Sequence, residues 1–137
     1  MITSSFIFIP GIGEKTEERL WKSGVLTWDD FKKADVPFLN ETKKRIIEDY
    51  LELGRDALDR KDSSFFAENL PKEEYWRLYK DFRDETLFLD IETTGLSRHY
   101  DVITLIGTSD GDNIKIFLKD NNLSEIVDYL QNFQIVV

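Results

Sequence analysis

Two carboxylates stand two residues apart in an apolar run: Asp90 and Glu92 in LFLDIETTGL, residues 87–96. In a β-strand alternate side chains point to opposite faces. Leu87, Leu89 and Ile91 then share one face, and Phe88, Asp90 and Glu92 share the other. Two like charges so placed on a buried strand repel each other and are costly to strip of water. A divalent cation between them removes both problems. The spacing therefore points to half of a metal site, on a strand that stops at Thr93-Thr94-Gly95.

The elements around the pair alternate as strands do. After 87–92, residues 102–108 and 114–118 read as a second and a third strand, joined by a tight hairpin at Asp110-Gly111-Asp112-Asn113. Asn122 is placed to cap a helix through about residue 132, with Glu125 at the third position and Ile126, Val127 and Leu130 facing inward. Residues 135–137 start another strand. An apolar strand is an unusual place for a domain to end, so the expectation is a chain that stops inside its fourth strand. A strand cut short there leaves the edge of 87–92 poorly covered. Open edges invite pairing between chains, so self-association through the sheet edge is expected.

The preceding residues follow the helical period instead. Residues 14–24 form a short helix ending at Gly24, and Thr27 caps a second that starts at Trp28 and is ended by Val36-Pro37. Asn40 caps a longer helix, 41–60, with Ile46, Ile47, Tyr50, Leu51 and Leu53 among its helically spaced apolar positions. Residues 62–64 break the pattern. Pro71 suits the first position of a last helix, whose apolar face is Tyr75, Leu78, Tyr79 and Phe82. The aromatic residues Trp21, Trp28, Tyr75, Trp76 and Tyr79 have a composition that can stack on bases. Their helical spacing assigns them to the core. Two domains are expected, a helical region over 1–85 and an α/β region over 86–137.

Composition sets limits. The chain has 137 residues, 41% of them hydrophobic, enough for a packed core. It has no cysteine and a single histidine, His99, which rules out disulfides, Cys-based zinc and multi-His centres. No apolar run approaches the roughly 18 residues of a membrane span, and no secretory leader pattern opens the chain. A cytoplasmic protein is expected. The net charge is −9, and residues 87–137 carry 3 basic against 8 acidic residues. Non-specific nucleic-acid binding relies on Lys and Arg at phosphates, so a simple DNA-binding module is disfavoured. A metal-dependent nuclease is not, because its acids hold cations that meet the phosphate.

Gly11-Ile12-Gly13 resembles the turn of a helix-hairpin-helix motif. In that motif glycines let backbone N–H groups approach a phosphate, which the next helix N-terminus favours. Gly11, Ile12, Gly13 and Lys15 are the candidate phosphate-binding residues. Glu17 stands where such hairpins have a small residue, and Glu14 adds negative charge. A turn that merely docks a small helical bundle is the other reading. A P-loop is excluded, because Ile9 and Glu14 stand where its two glycines belong.

The LFLDIETTGL stretch closely resembles the first motif of the DEDD exonucleases, the DnaQ-like proofreading branch of the RNase H-like superfamily. More narrowly, PGIGEKTEERLW, GVLTWDDF and DVITLIGTSDGDNIKIF resemble the YprB-type predicted exonucleases. The resemblance implies an RNase H-like βββαβ order within an α/β fold, incomplete here. It implies a 3′–5′ exonuclease acting on DNA or RNA with two Mg²⁺ or Mn²⁺ ions. Asp90 would ligate both ions and Glu92 one, and Thr93, Thr94, Gly95 and Leu96 would lie by the terminal nucleotide. The family uses four acids, and only the first two have counterparts here. The 137-residue chain is therefore expected to be inactive alone, or nearly so. The rival reading is a non-catalytic nucleic-acid-binding or interaction module on the same scaffold.

Overall fold

Asn40 does cap the longest helix: its Oδ1 accepts the Lys43 backbone N–H at 2.8 Å. The computed structural model describes residues 1–97 and 99–137, in two compact units, Met1–Asp81 and Phe82–Val137. Arg98, read with His99 and Tyr100 as loop, lies outside the described residues.

The first unit is helical. Its helices are α1 (Glu14–Lys22), α2 (Trp28–Phe31), α3 (Glu41–Asp59) and α4 (Ser63–Asn69), followed by a 3₁₀ segment over Lys72–Leu78. Thr27 and Asp30 form a reciprocal capping box at the start of α2. That helix ends at Phe31, well before the proline expected to stop it. The helical run does break before residues 62–64, α3 ending at Asp59, and the same residues then start α4, with the Asp62 side chain accepting from Phe65 N–H. Asp is a favoured cap, so a residue that ends one helix can also begin the next. The core is aromatic. Phe8 packs against Trp28 and Phe66 with ring centroids 5.5 and 5.8 Å apart. Gly54 lets α3 approach that cluster, since a Cβ there would stand 2.9 Å from the Trp28 ring.

Residues expected on one apolar face after Pro71 divide. Leu78 and Phe82 are buried, whereas Tyr75 and Tyr79 are exposed, and Trp76 is 68% exposed. No single α-helix carries these positions: the 3₁₀ segment ends at Leu78, so Tyr79 and Phe82 lie beyond it and the expected stripe is not continuous.

The second unit is α/β. Its strands are β1 (Thr86–Thr93), β2 (Ile103–Ser109), β3 (Ile114–Leu118) and β4 (Ile135–Val136), with the helix α5 (Ile126–Leu130) between the last two. The sheet order is β3-β2-β1-β4. Pairing is antiparallel from β3 through β1, and β4 lies parallel to β1. The hairpin forms as its composition requires: Asp110 Oδ1 accepts the N–H groups of Asp112 and Asn113, and Gly111 takes a positive φ of 96°.

Ile106, Phe117 and Ile126 form the core on one face of this sheet, with Leu89, Leu123, Tyr129 and Leu130 packed around them. The expected helix over 122–132 is shorter and begins differently. Leu123–Glu125 is a 3₁₀ turn, and the Asn122 side chain makes no cap. Its Oδ1 accepts Leu118 N–H and its amide donates to the Ile116 carbonyl, tying the turn to the end of β3. Val127, expected inward, is exposed, because the shortened helix buries only Ile126 fully.

Strand β1 is an interior strand. Strand β4 pairs with it at Thr86 and Leu87, and the Leu89 N–H donates to the Val137 carbonyl. The edges of the sheet are β3 and β4.

Candidate metal and nucleic-acid site

Antiparallel registry places the acids in rows across the sheet. Asp90 faces Gly107, which faces Ile116; Glu92 faces Leu105, which faces Leu118. Directly opposed residues share a face, so both carboxylates lie on the side opposite the Ile106–Phe117–Ile126 core. The face pairing expected from alternation therefore holds.

The expected desolvation does not. Asp90 and Glu92 are both exposed. Phe88, Ile114, Ile116 and Leu118 on the same side are exposed as well, so this face has no layer over it among the described residues. With water available, burial puts no pressure on the pair, and their proximity on one strand face is what remains of the case for a cation. Neither carboxylate has a hydrogen-bond or ion-pair partner among the described residues.

Two carboxylates supply hard oxygen donors of the kind Mg²⁺ and Mn²⁺ take. They make a partial set: no group of three or more His, Cys, Asp or Glu side chains suited to a metal occurs among the described residues. Gly107, opposite Asp90, was not singled out from sequence. A Cβ at that position would meet only Leu105 Cδ2, at 4.0 Å, so the space beside Asp90 is open. A cavity of about 320 Å³ lies there, lined in part by Phe88, Asp90, Gly107 and Ile114. A glycine inside a strand is the signal that could have found it.

Strand β1 leads into the Thr94–Ser97 loop, where a second cavity of about 320 Å³ is lined by Thr93, Gly95, Leu96, Ser97, Asp101, Val102 and Ile103. Leu96 is fully exposed, at 102%. Thr93 Oγ1 donates to the Gly95 carbonyl at 2.6 Å. Thr93, Thr94, Gly95 and Leu96 thus continue directly from the acid pair, as their order in sequence requires.

The Gly11–Gly13 turn belongs to the first unit. Gly11 has a φ of 77°, which glycine adopts freely, and Gly13 precedes α1 in extended conformation. Gly11, Gly13 and Lys15 are exposed and Ile12 is buried. Glu17, the residue out of pattern for a phosphate hairpin, turns inward. Its Oε1 accepts from Phe6 N–H at 2.6 Å and Ile7 N–H at 3.1 Å, and it pairs with Arg77. Its position is explained by holding the preceding segment. Of the aromatic residues, Trp28 is core, with Nε1–H donating to the Ser5 carbonyl at 2.7 Å.

Residues 87–136 match a family model described as the RNase H superfamily. No curated protein and no solved structure matches the chain. The four-stranded mixed sheet with its helix is consistent with an α/β RNase H-like fold. At the coarse level the match points to nuclease-type action on nucleic acid, a class that generally uses divalent metals. No helix among the described residues is long and apolar enough to cross a membrane.

Proposed function

We propose that this chain carries the first metal-binding motif of a metal-dependent nucleic-acid phosphodiesterase of the 3′–5′ exonuclease type, in the DEDD, YprB-like branch. The observation that carries the reading is the Asp90–Glu92 pair. Both acids lie on one open strand face, lack protein partners among the described residues, and fall inside the segment that matches the RNase H superfamily.

Asp90 and Glu92 would hold Mg²⁺ or Mn²⁺. The bound ions supply the activation of water and the charge stabilisation that an in-line phosphodiester displacement needs. Thr93, Thr94, Gly95 and Leu96 contact the terminal nucleotide, with Leu96 offering an exposed apolar surface to a base or sugar. Exposed Lys15 and the Gly11-Ile12-Gly13 turn form a weaker phosphate contact in the helical unit. Two acids are half of a four-acid site, so the 137 residues alone hold metal weakly and cleave little or not at all.

The test is Mn²⁺-dependent release of nucleotides from end-labelled DNA and RNA by the product of the complete gene. Activity should vanish in Asp90→Asn. Unchanged cleavage removes Asp90 from the mechanism. The absence of a third acidic or imidazole ligand among the described residues favours a second reading, a non-catalytic nucleic-acid-binding module. Oligonucleotide binding that neither needs a divalent ion nor responds to Asp90→Asn, without cleavage by that product, selects it.

A further inference from the structure

Asp101 lies outside the LFLDIETTGL motif, yet its carboxylate reaches both ends of the loop that follows the motif's acids. Its Oδ1 accepts the Thr94 hydroxyl at 2.9 Å, and its Oδ2 accepts the Ser97 backbone N–H at 2.8 Å. The Asp101 N–H donates back to the Ser97 carbonyl at 3.0 Å. Thr94 relays the connection, because its Oγ1 also accepts the Val102 N–H at 3.0 Å while its own N–H donates to the Val102 carbonyl. The Asp101 and Thr94 side chains together close the turn.

The same carboxylate explains the glycine of the motif. A Cβ on Gly95 would stand 2.6 Å from Asp101 Oδ2 and 2.8 Å from its Cγ, closer than real contacts allow. The backbone at Gly95 does not have the positive φ that would itself call for glycine. A side chain at position 95 would have to displace the Asp101 carboxylate, which fills that place. Within the loop Gly95 and Ser97 are half-buried, Thr94 stays exposed while its hydroxyl is held, and Leu96 projects fully into solvent.

We propose that Asp101 is a positioning residue for nucleic-acid binding: its carboxylate holds the Thr94–Ser97 loop in the shape that presents Leu96 to a terminal nucleotide. The proposal rests on the nuclease reading above and deepens it. A loop held before ligand arrives does not pay the ordering cost on binding. Removing Asp101 leaves the Ser97 N–H and the Thr94 hydroxyl without their acceptor and releases the loop.

The test uses the 137-residue chain with Mg²⁺ and single-stranded oligonucleotides carrying 2-aminopurine at the 5′ or the 3′ end. Affinity is read from its fluorescence. Ser97 amide exchange, followed by NMR without ligand, reports the clamp independently. Asp101→Ala should speed that exchange and weaken oligonucleotide binding about tenfold, with the thermal midpoint shifted by only a few degrees. Asp101→Asn keeps one acceptor oxygen and should recover part of the affinity.

Unchanged Ser97 exchange in Asp101→Ala overturns the clamp. Faster exchange with wild-type affinity, while Leu96→Ala still weakens binding, overturns the positioning role and leaves the nuclease reading standing. No binding of either labelled end by the wild-type chain, or wild-type binding by Leu96→Ala, overturns the Leu96 contact and this inference with it. If Asp101→Ala does not fold, Gly95→Ala displaces the same carboxylate from the opposite side and is held to the same outcomes.

Discussion

The Glu17 carboxylate meets the Arg77 guanidinium at 2.9 Å, with the two side chains 2% and 11% exposed. A buried acid is tolerated only when its lone pairs are used. Here they accept from Arg77, from the Ser5 hydroxyl and from the backbone N–H groups of Phe6 and Ile7. Glu74 takes another nitrogen of the same guanidinium. Glu17 therefore pins the segment before the glycine turn to a residue 60 positions further on.

Glu17→Ala should destabilise the chain by about 3–5 kcal/mol, since it leaves two buried backbone donors without an acceptor and takes from Arg77 one of its two carboxylate partners. Glu17→Gln should cost less, because its amide oxygen still accepts from Phe6 and Ile7. Urea unfolding followed by tryptophan fluorescence measures both. A wild-type midpoint for Glu17→Ala would show that the clasp contributes nothing.

Gly54→Ala sets two effects against each other. Replacing glycine inside a helix gains about 1 kcal/mol. Overpacking a rigid core costs about 1–3 kcal/mol. The added methyl would meet the Trp28 ring at 2.9 Å and Phe8 at 3.3 Å, and Trp28 is held by its hydrogen bond to Ser5. The packing cost should win, giving a net loss of about 1 kcal/mol. A rise in thermal midpoint would mean that the indole moves aside freely.

The hairpin at residues 110–113 should be sensitive to acid. The Asn113 N–H, then the Asp112 N–H and the Asn113 side chain, hold the Asp110 carboxyl below the ordinary aspartate range. A depressed folded value means that the carboxylate stabilises the fold above the unfolded pKa, about 3.9. That contribution is lost as pH falls through the folded value. The stability difference between wild type and Asp110→Ala should thus be constant near neutrality and shrink below about pH 4. A difference that grows on acidification would contradict this assignment.

Metal affinity offers a direct reading of the Asp90–Glu92 pair. With two protein ligands, Mn²⁺ should bind with a Kd on the order of 10⁻³ M. Its paramagnetic broadening should centre on the amides of residues 90–93. Asp90→Asn should abolish the localised effect while leaving the fold intact, because the side chain is exposed and unpaired among the described residues. Broadening centred elsewhere, on Asp110 or Asp112 for example, would move the metal away from β1.

Much of this protein was legible in local residue types. The Thr27 and Asn40 caps, the alternation in 87–92 and the Asp110–Asn113 turn each depend on contacts within a few residues, so spacing alone predicts them. The family match, over residues 87–136, begins at LFLDIETTGL and runs through all four strands. What local pattern could not supply came from distance. Alternation put Asp90 and Glu92 on one face, but only registry with Gly107 and Leu105 showed that face to be open. Glu17 looked like a misplaced acid until Arg77 reached it. Nothing in the sequence singled out Asp101, whose reach to Thr94 and Ser97 follows from β2 folding back on β1. Side-chain periodicity is set by backbone geometry within a segment, whereas burial and partnership depend on which segments meet, and that is decided only when the chain has folded.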